Sequence, residues 1–178
     1  MKKTLLFISI VAFLSSCAPK MYPIKGHYPE VTVIKSSKPV DSVWSNIIDL
    51  FATRGIPIRV IDKSSGLISS DRASLKGKYS FENKDGKIEY KDAWVVLNYY
   101  QSHNALNDLQ PNTITAEWNV RIKPDGTGST INVNLVNIIA ELHTPAVNAG
   151  YLSKPAVDIV YDARSTGVFE QIIADIVK

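Results

Sequence analysis

Residues 112–123 alternate cleanly. Ile114, Ala116, Trp118, Val120 and Ile122 are apolar, and Thr113, Thr115, Glu117, Asn119 and Arg121 between them are polar. Successive side chains of a strand point to opposite faces, so this stretch predicts a long strand with one face in a core and the other in water. Pro124-Asp125-Gly126 is a hairpin signal. Residues 130–139 then repeat the pattern, with Ile131, Val133 and Leu135 on one face and Asn132 and Asn134 on the other. Residues 94–100 are expected to form a strand before them. A one-sided antiparallel sheet needs a cover on its apolar face.

Two segments have the period to supply that cover. Val40, Trp44, Ile47, Ile48 and Phe51 recur at helical spacing within residues 39–54. Pro39 suits the first turn, Asp41 complements the N-terminal dipole, and Gly55 marks the stop. Phe169, Ile172, Ile173 and Ile176 make a second stripe, with Ser165 or Thr166 available to cap its start. Short strands are expected at residues 31–34, 56–61 and 66–70, the last two joined by the turn Asp62-Lys63-Ser64-Ser65. Asn83-Lys84-Asp85-Gly86 predicts a hairpin between residues 79–82 and 87–90. Pro145 and Pro155 leave residues 143–158 as a long connection. The expected fold class is therefore α+β. It is a single helix-grip-like domain over residues 30–178, an antiparallel sheet covered by a helix from the N-terminal half and a C-terminal helix.

The N-terminal segment has a different character. Lys2 and Lys3 precede an apolar run over residues 5–14, broken only by Ser9, and Leu14-Ser15-Ser16-Cys17 follows. The run is too short to span a bilayer, which takes about 20 apolar residues. Cys17 is the one cysteine of the chain, so an intramolecular disulfide is excluded. The combination resembles the signal sequence and lipobox of a bacterial lipoprotein. The resemblance implies that residues 1–16 are removed and that Cys17 carries a diacylglyceryl group and an acylated amino terminus, palmitate among its chains. Several acyl chains are needed for a stable anchor, because one gives only marginal binding. Residues 17–29 then form the tether. Pro19, Pro23, Pro29 and Gly26 read as a semi-stiff spacer. Composition alone favours a disordered stalk; the alternative is that Tyr22 and Tyr28 dock on the domain or on the membrane interface. No acidic residue lies close after Cys17. Some surface-displayed lipoproteins are exported by an acidic signal at that place, and by that comparison the expected location is the outer membrane, facing the periplasm.

Charge bounds the partners. The chain has 20 Lys and Arg, two of them in the leader, against 17 Asp and Glu. The remainder is close to neutral, about +1, which gives no electrostatic case for nucleic acid. About 160 residues remain after the leader, enough for one real core.

A second resemblance covers about residues 31–70. Asp41-Ser42-Val43-Trp44, Leu50, Gly55-Ile56-Pro57-Ile58, Asp62 and Gly66-Leu67-Ile68 are similar to a repeated pattern in certain lipoproteins. These include the C-type lipoprotein subunit of the machinery that assembles outer-membrane β-barrels. The resemblance implies a strand, a Trp-bearing helix, and a strand, turn and strand within a helix-grip domain. The motif is mostly core packing, so it speaks to fold more than to function.

No catalytic constellation emerges. His27, His103 and His143 lack a second ligand at zinc spacing. There is no G-x-S-x-G elbow, and Gly126-Thr127-Gly128 follows a turn between strands rather than opening a helix. Glu82 with Asp85, and Glu89 with Asp92, are expected on a solvated face. Lys76, Lys78, Lys84, Lys87 and Lys91, interleaved with Tyr79, Phe81 and Tyr90, read as an ordinary charged hairpin. Trp94, Tyr100, Trp118 and Phe169 are the candidate wall of an apolar pocket between sheet and C-terminal helix. Expected, then, is a non-enzymatic envelope lipoprotein with no cofactor and no metal, held at the membrane through Cys17, that binds another envelope protein or the cell wall. The alternative is a carrier of a small apolar ligand or lipid.

Overall fold

The computed structural model describes residues 20–101, 109–147 and 156–178. In chain order the elements begin with β1 (Lys20–Tyr22), β2 (Thr32–Ser36) and helix α1 (Val40–Thr53). Then come β3 (Ile58–Asp62), β4 (Leu67–Ser70), β5 (Ala73–Ser74) and β6 (Tyr79–Phe81). Next are β7 (Val95–Leu97), β8 (Tyr99–Gln101), β9 (Thr113–Asp125) and β10 (Gly128–Thr144). The chain continues through β11 (Val157–Val160), β12 (Ala163–Ser165) and helix α2 (Val168–Val177). The fold is α+β, with mainly antiparallel sheet and two helices among the described residues.

β9 and β10 are the spine. They pair antiparallel across the Pro124-Asp125-Gly126 turn, with Ile131 opposite Ile122 and Leu135 opposite Trp118. The principal sheet runs β11-β10-β9-β4-β3, with β2 alongside β10 and β5 alongside β9. β10 is longer than its sequence pattern suggests. Asn137, at φ 52°, makes a bulge between Val136 and Ile139, after which the strand continues to Thr144 and takes β11 as partner. Asn tolerates the left-handed conformation better than most residues. The expected connection over residues 143–158 thus contributes to strands at both ends; residues 148–155 lie outside the described part.

The alternation of β9 resolves as expected. Ala116, Trp118 and Val120 are fully buried on the helix side. α1 lays Val43, Ile47, Leu50 and Phe51 on that face, and α2 adds Phe169, Ile173 and Val177. Pro39 is the N-cap of α1 rather than its first turn, and Gly55, at φ 66°, follows its last turn. The carbonyls at the end of α2 are bound from neighbouring elements. Lys38 Nζ donates to Ile176 O at 3.0 Å, Asn46 Nδ2 donates to the same oxygen at 2.9 Å, and Ser36 Oγ–H donates to Val177 O. These donors satisfy groups that a helix terminus leaves open. Gly66 opens β4 where any Cβ would lie 2.0 Å from Ile122 O.

Three expectations change in detail. The N-cap of α2 is Gly167, with no side-chain cap; Ser165 Oγ accepts the Gly167 N–H at 3.2 Å and donates to Glu170 Oε1 at 2.7 Å. The strand expected over residues 94–100 breaks at Asn98, whose backbone N–H and side-chain oxygen bind Asp162. The hairpin expected over residues 79–90 shrinks to the turn and one bridge, Glu82 with Ile88. β6 pairs instead with β7, in parallel, and Ser80 Oγ accepts the N–H groups of Glu89 and Tyr90, both at 3.1 Å.

Candidate functional site

The four residues expected to line one apolar pocket divide into two groups. Trp94, Trp118 and Phe169 pack on one another, with ring centroids 4.7 Å apart for Trp118 and Phe169 and 4.8 Å for Trp94 and Phe169. All three are buried, and their rings occupy the space between sheet and α2 where the pocket was expected. Tyr100 stands apart. Its ring meets Tyr161 at 5.4 Å and its hydroxyl donates to Val160 O at 3.4 Å. It belongs to a second aromatic cluster running from Tyr22 through Tyr99, Phe81 and Tyr161.

That second cluster underlies the N-terminal segment. β1 pairs with β8, placing Met21 opposite Tyr100 and Tyr22 opposite Tyr99. Residues 25–28 then close on one carboxylate, that of Glu82, whose side chain is fully buried. The backbone N–H of Lys25 donates to Glu82 Oε1 at 2.5 Å, and that of Gly26 donates to Oε2 at 3.1 Å. The hydroxyl of Tyr28 donates to Oε2 at 2.6 Å. Lys25 Nζ adds a bond to Lys84 O at 2.6 Å. Residues 20–28 are thus a strap bound to the domain, where composition favours a disordered stalk. A buried carboxylate is retained only when its oxygens are hydrogen-bonded, and the strap supplies those donors. Gly26 is required by close approach: a Cβ there would lie 2.7 Å from both Glu82 Oε2 and the Tyr28 ring. The Tyr28 hydroxyl is pushed well above the usual phenol range, first by burial, then by its bond to Glu82 and that residue's charge.

Glu82 was expected on a solvated face. Its one local signal is weak: in a strand it shares a face with Ser80, two residues earlier, and both are buried. The partners that make its burial possible come from 54 or more positions away.

The histidines do not assemble. His27 is exposed on the strap, and His103 lies outside the described residues. His143 sits on β10 rather than in a loop, directly across from Asp158 on β11, with Nδ1 against the Asp158 carboxylate. Both side chains are largely exposed. Among the described residues no group of three or more His, Cys, Asp or Glu side chains is placed to hold a metal ion. No described helix is long and apolar enough to cross a membrane. Cys17 lies outside the described residues.

The polar face of the principal sheet carries the other distinctive feature, an open hollow of about 450 Å³. Its floor is built from Asn119 and Arg121 of β9 and their cross-strand partners Asn134 and Asn132 of β10. Ser69 of β4 lies beside Asn119 and donates its hydroxyl to Asn119 Oδ1 at 2.7 Å. At one end Glu117, itself buried, holds Arg59 at 3.3 Å and Arg72 at 3.9 Å. No protein-family model matches the chain.

Proposed function

We propose that this chain is a membrane-anchored envelope lipoprotein that acts as a non-enzymatic interaction or assembly module, built on a helix-grip-type domain. The observation that carries the reading is the strap. A segment that begins three positions after Cys17 is clamped to the domain through the buried carboxylate of Glu82. A lipid on Cys17 therefore fixes the domain close to the bilayer, and the open sheet face remains available for a partner. The filled stack of Trp94, Trp118 and Phe169 supports a surface function over an internal one.

The test is affinity capture of the native chain from gently solubilised membranes, with mass spectrometry of bound proteins and lipids. A stoichiometric envelope protein is the expected result. A bound lipid or small molecule without a protein partner would favour the carrier reading instead. For the anchor itself, Cys17→Ser moves the protein from the detergent phase to the aqueous phase on partitioning, and an unchanged distribution would exclude lipidation at Cys17.

A further inference from the structure

The hollow on the open face has a composition that selects a ligand. Asn132 and Asn134 are half-buried, and their side chains make no hydrogen bond among the described residues. Each amide offers a donor and an acceptor on an extended surface. Asn119 uses its oxygen on Ser69, and its N–H₂ makes no hydrogen bond among the described residues. The charges are unbalanced. Arg59 and Arg72 share the single carboxylate of Glu117, while Arg121 has no ion pair among the described residues. The floor is therefore cationic, and its unshared guanidinium stands in the row next to the amides.

The rim differs from the floor. Val31 lies on the β2 side, and Val60 and Leu67 lie on the β3 and β4 side. Val31 is 52% exposed and Val60 is 38% exposed. Sugars favour aromatic rings to stack on, and none lines this hollow. Short aliphatic rims suit the side chains of a peptide. From β2 to β3 the face crosses five strands, roughly 19 Å at the usual strand spacing, the length of about six extended residues.

We propose that this face binds an extended acidic peptide segment of the partner protein. A carboxylate side chain of the segment pairs with Arg121, its backbone amides engage Asn119, Asn132 and Asn134, and its aliphatic side chains rest on Val31, Val60 and Leu67. Arg–carboxylate pairing is the geometry that a planar guanidinium recognises best. The proposal rests on the reading of the chain as a binding module and names the chemistry of its partner.

The experiment is a titration of the full chain in neutral detergent with three probes. These are a blocked Val-Asp-Val-Asp-Val peptide, the same peptide with Asn for Asp, and an oligogalacturonate. The acidic peptide is expected to bind at least tenfold more tightly than the neutral one, with affinity falling as salt rises. Arg121→Gln should remove most of that preference. Arg54→Gln, at the end of α1 on the opposite side of the sheet, should leave it unchanged. Asn134→Leu is the second variant and should weaken both peptides. Far-UV circular dichroism checks that the variants fold. Equal affinity for the two peptides, an unaffected Arg121→Gln, or binding of the oligogalacturonate in place of the peptide would overturn the proposal. If none of the probes binds while the native chain still captures an envelope protein, the peptide site is wrong and the interaction-module reading stands.

Discussion

The two faces of β9 belong to one strand and obey opposite rules. On the helix side, Ala116, Trp118 and Val120 are sealed from water, and Trp118 meets both Trp94 and Phe169. On the other side, Asn119 and Arg121 line an open hollow. The first face derives its free energy from apolar area and close packing, so it tolerates little change in volume. The second contributes little to folding, so its residue types are free to serve recognition. What distinguishes the faces is a period of two residues and nothing more.

The largest effect expected from that contrast comes from Trp118→Ala. Removing a large aromatic from a filled core costs about 3–5 kcal/mol, read as a lower midpoint in urea or thermal unfolding. Arg121→Ala, three residues along on the open face, should stay within about 0.5 kcal/mol. Comparable losses for the two would break the distinction between the faces.

Next in size is the clamp. Glu82→Ala removes three charge-assisted bonds to the strap. A loss of about 2–3 kcal/mol is expected from hydrogen bonds to a charged group. Its clearer signature is local: residues 20–28 should become cleavable by protease and exchange amide hydrogen faster, while β9 and β10 stay protected. A strap as protected as before would show that the pairing of β1 with β8 holds it without Glu82.

The smallest effect is a pH effect at the same site. The folded state raises the pKa of Tyr28, so it favours the neutral phenol. The stabilisation is then fully present below the ordinary phenol pKa of about 10 and is lost as pH rises beyond it through the folded value. Absorbance at 295 nm should show late-ionising tyrosine that shrinks in Tyr28→Phe. Tyr161 and Tyr79, both also raised by burial, supply the part that remains. An unchanged late component would place Tyr28 outside the clamp.

What the sequence makes legible is whatever depends on near neighbours. The run from Ile114 to Ile122, the stripe of α1 and the turn after Pro124 are read from residues two to four positions apart, and they stand in the fold where expected. The bulge at Asn137 is harder, since a single residue with positive φ leaves the alternation on either side intact. Glu82 is illegible for a stronger reason. Its neighbours Asn83, Lys84 and Asp85 announce a polar turn, and only the return of Lys25, Gly26 and Tyr28 from far along the chain gives a buried carboxylate its donors. The wall of aromatic residues illustrates the converse. Trp94, Trp118 and Phe169 pack on one another, but whether clustered rings enclose a space or fill it depends on distances that no periodicity encodes.

The clamp at Glu82 also sets a search volume. A free stalk over residues 17–29 would wander to a root-mean-square distance of about 20 Å from its anchor. With residues 20–28 bound to the domain, the three steps from Cys17 to Lys20 reach at most about 10 Å. Halving the radius cuts the accessible volume roughly eightfold, and would raise the local concentration of the domain at the membrane-held partner proposed above by the same factor. With the lipid that we propose on Cys17, one carboxylate inside the domain would thus set how often the domain meets its partner.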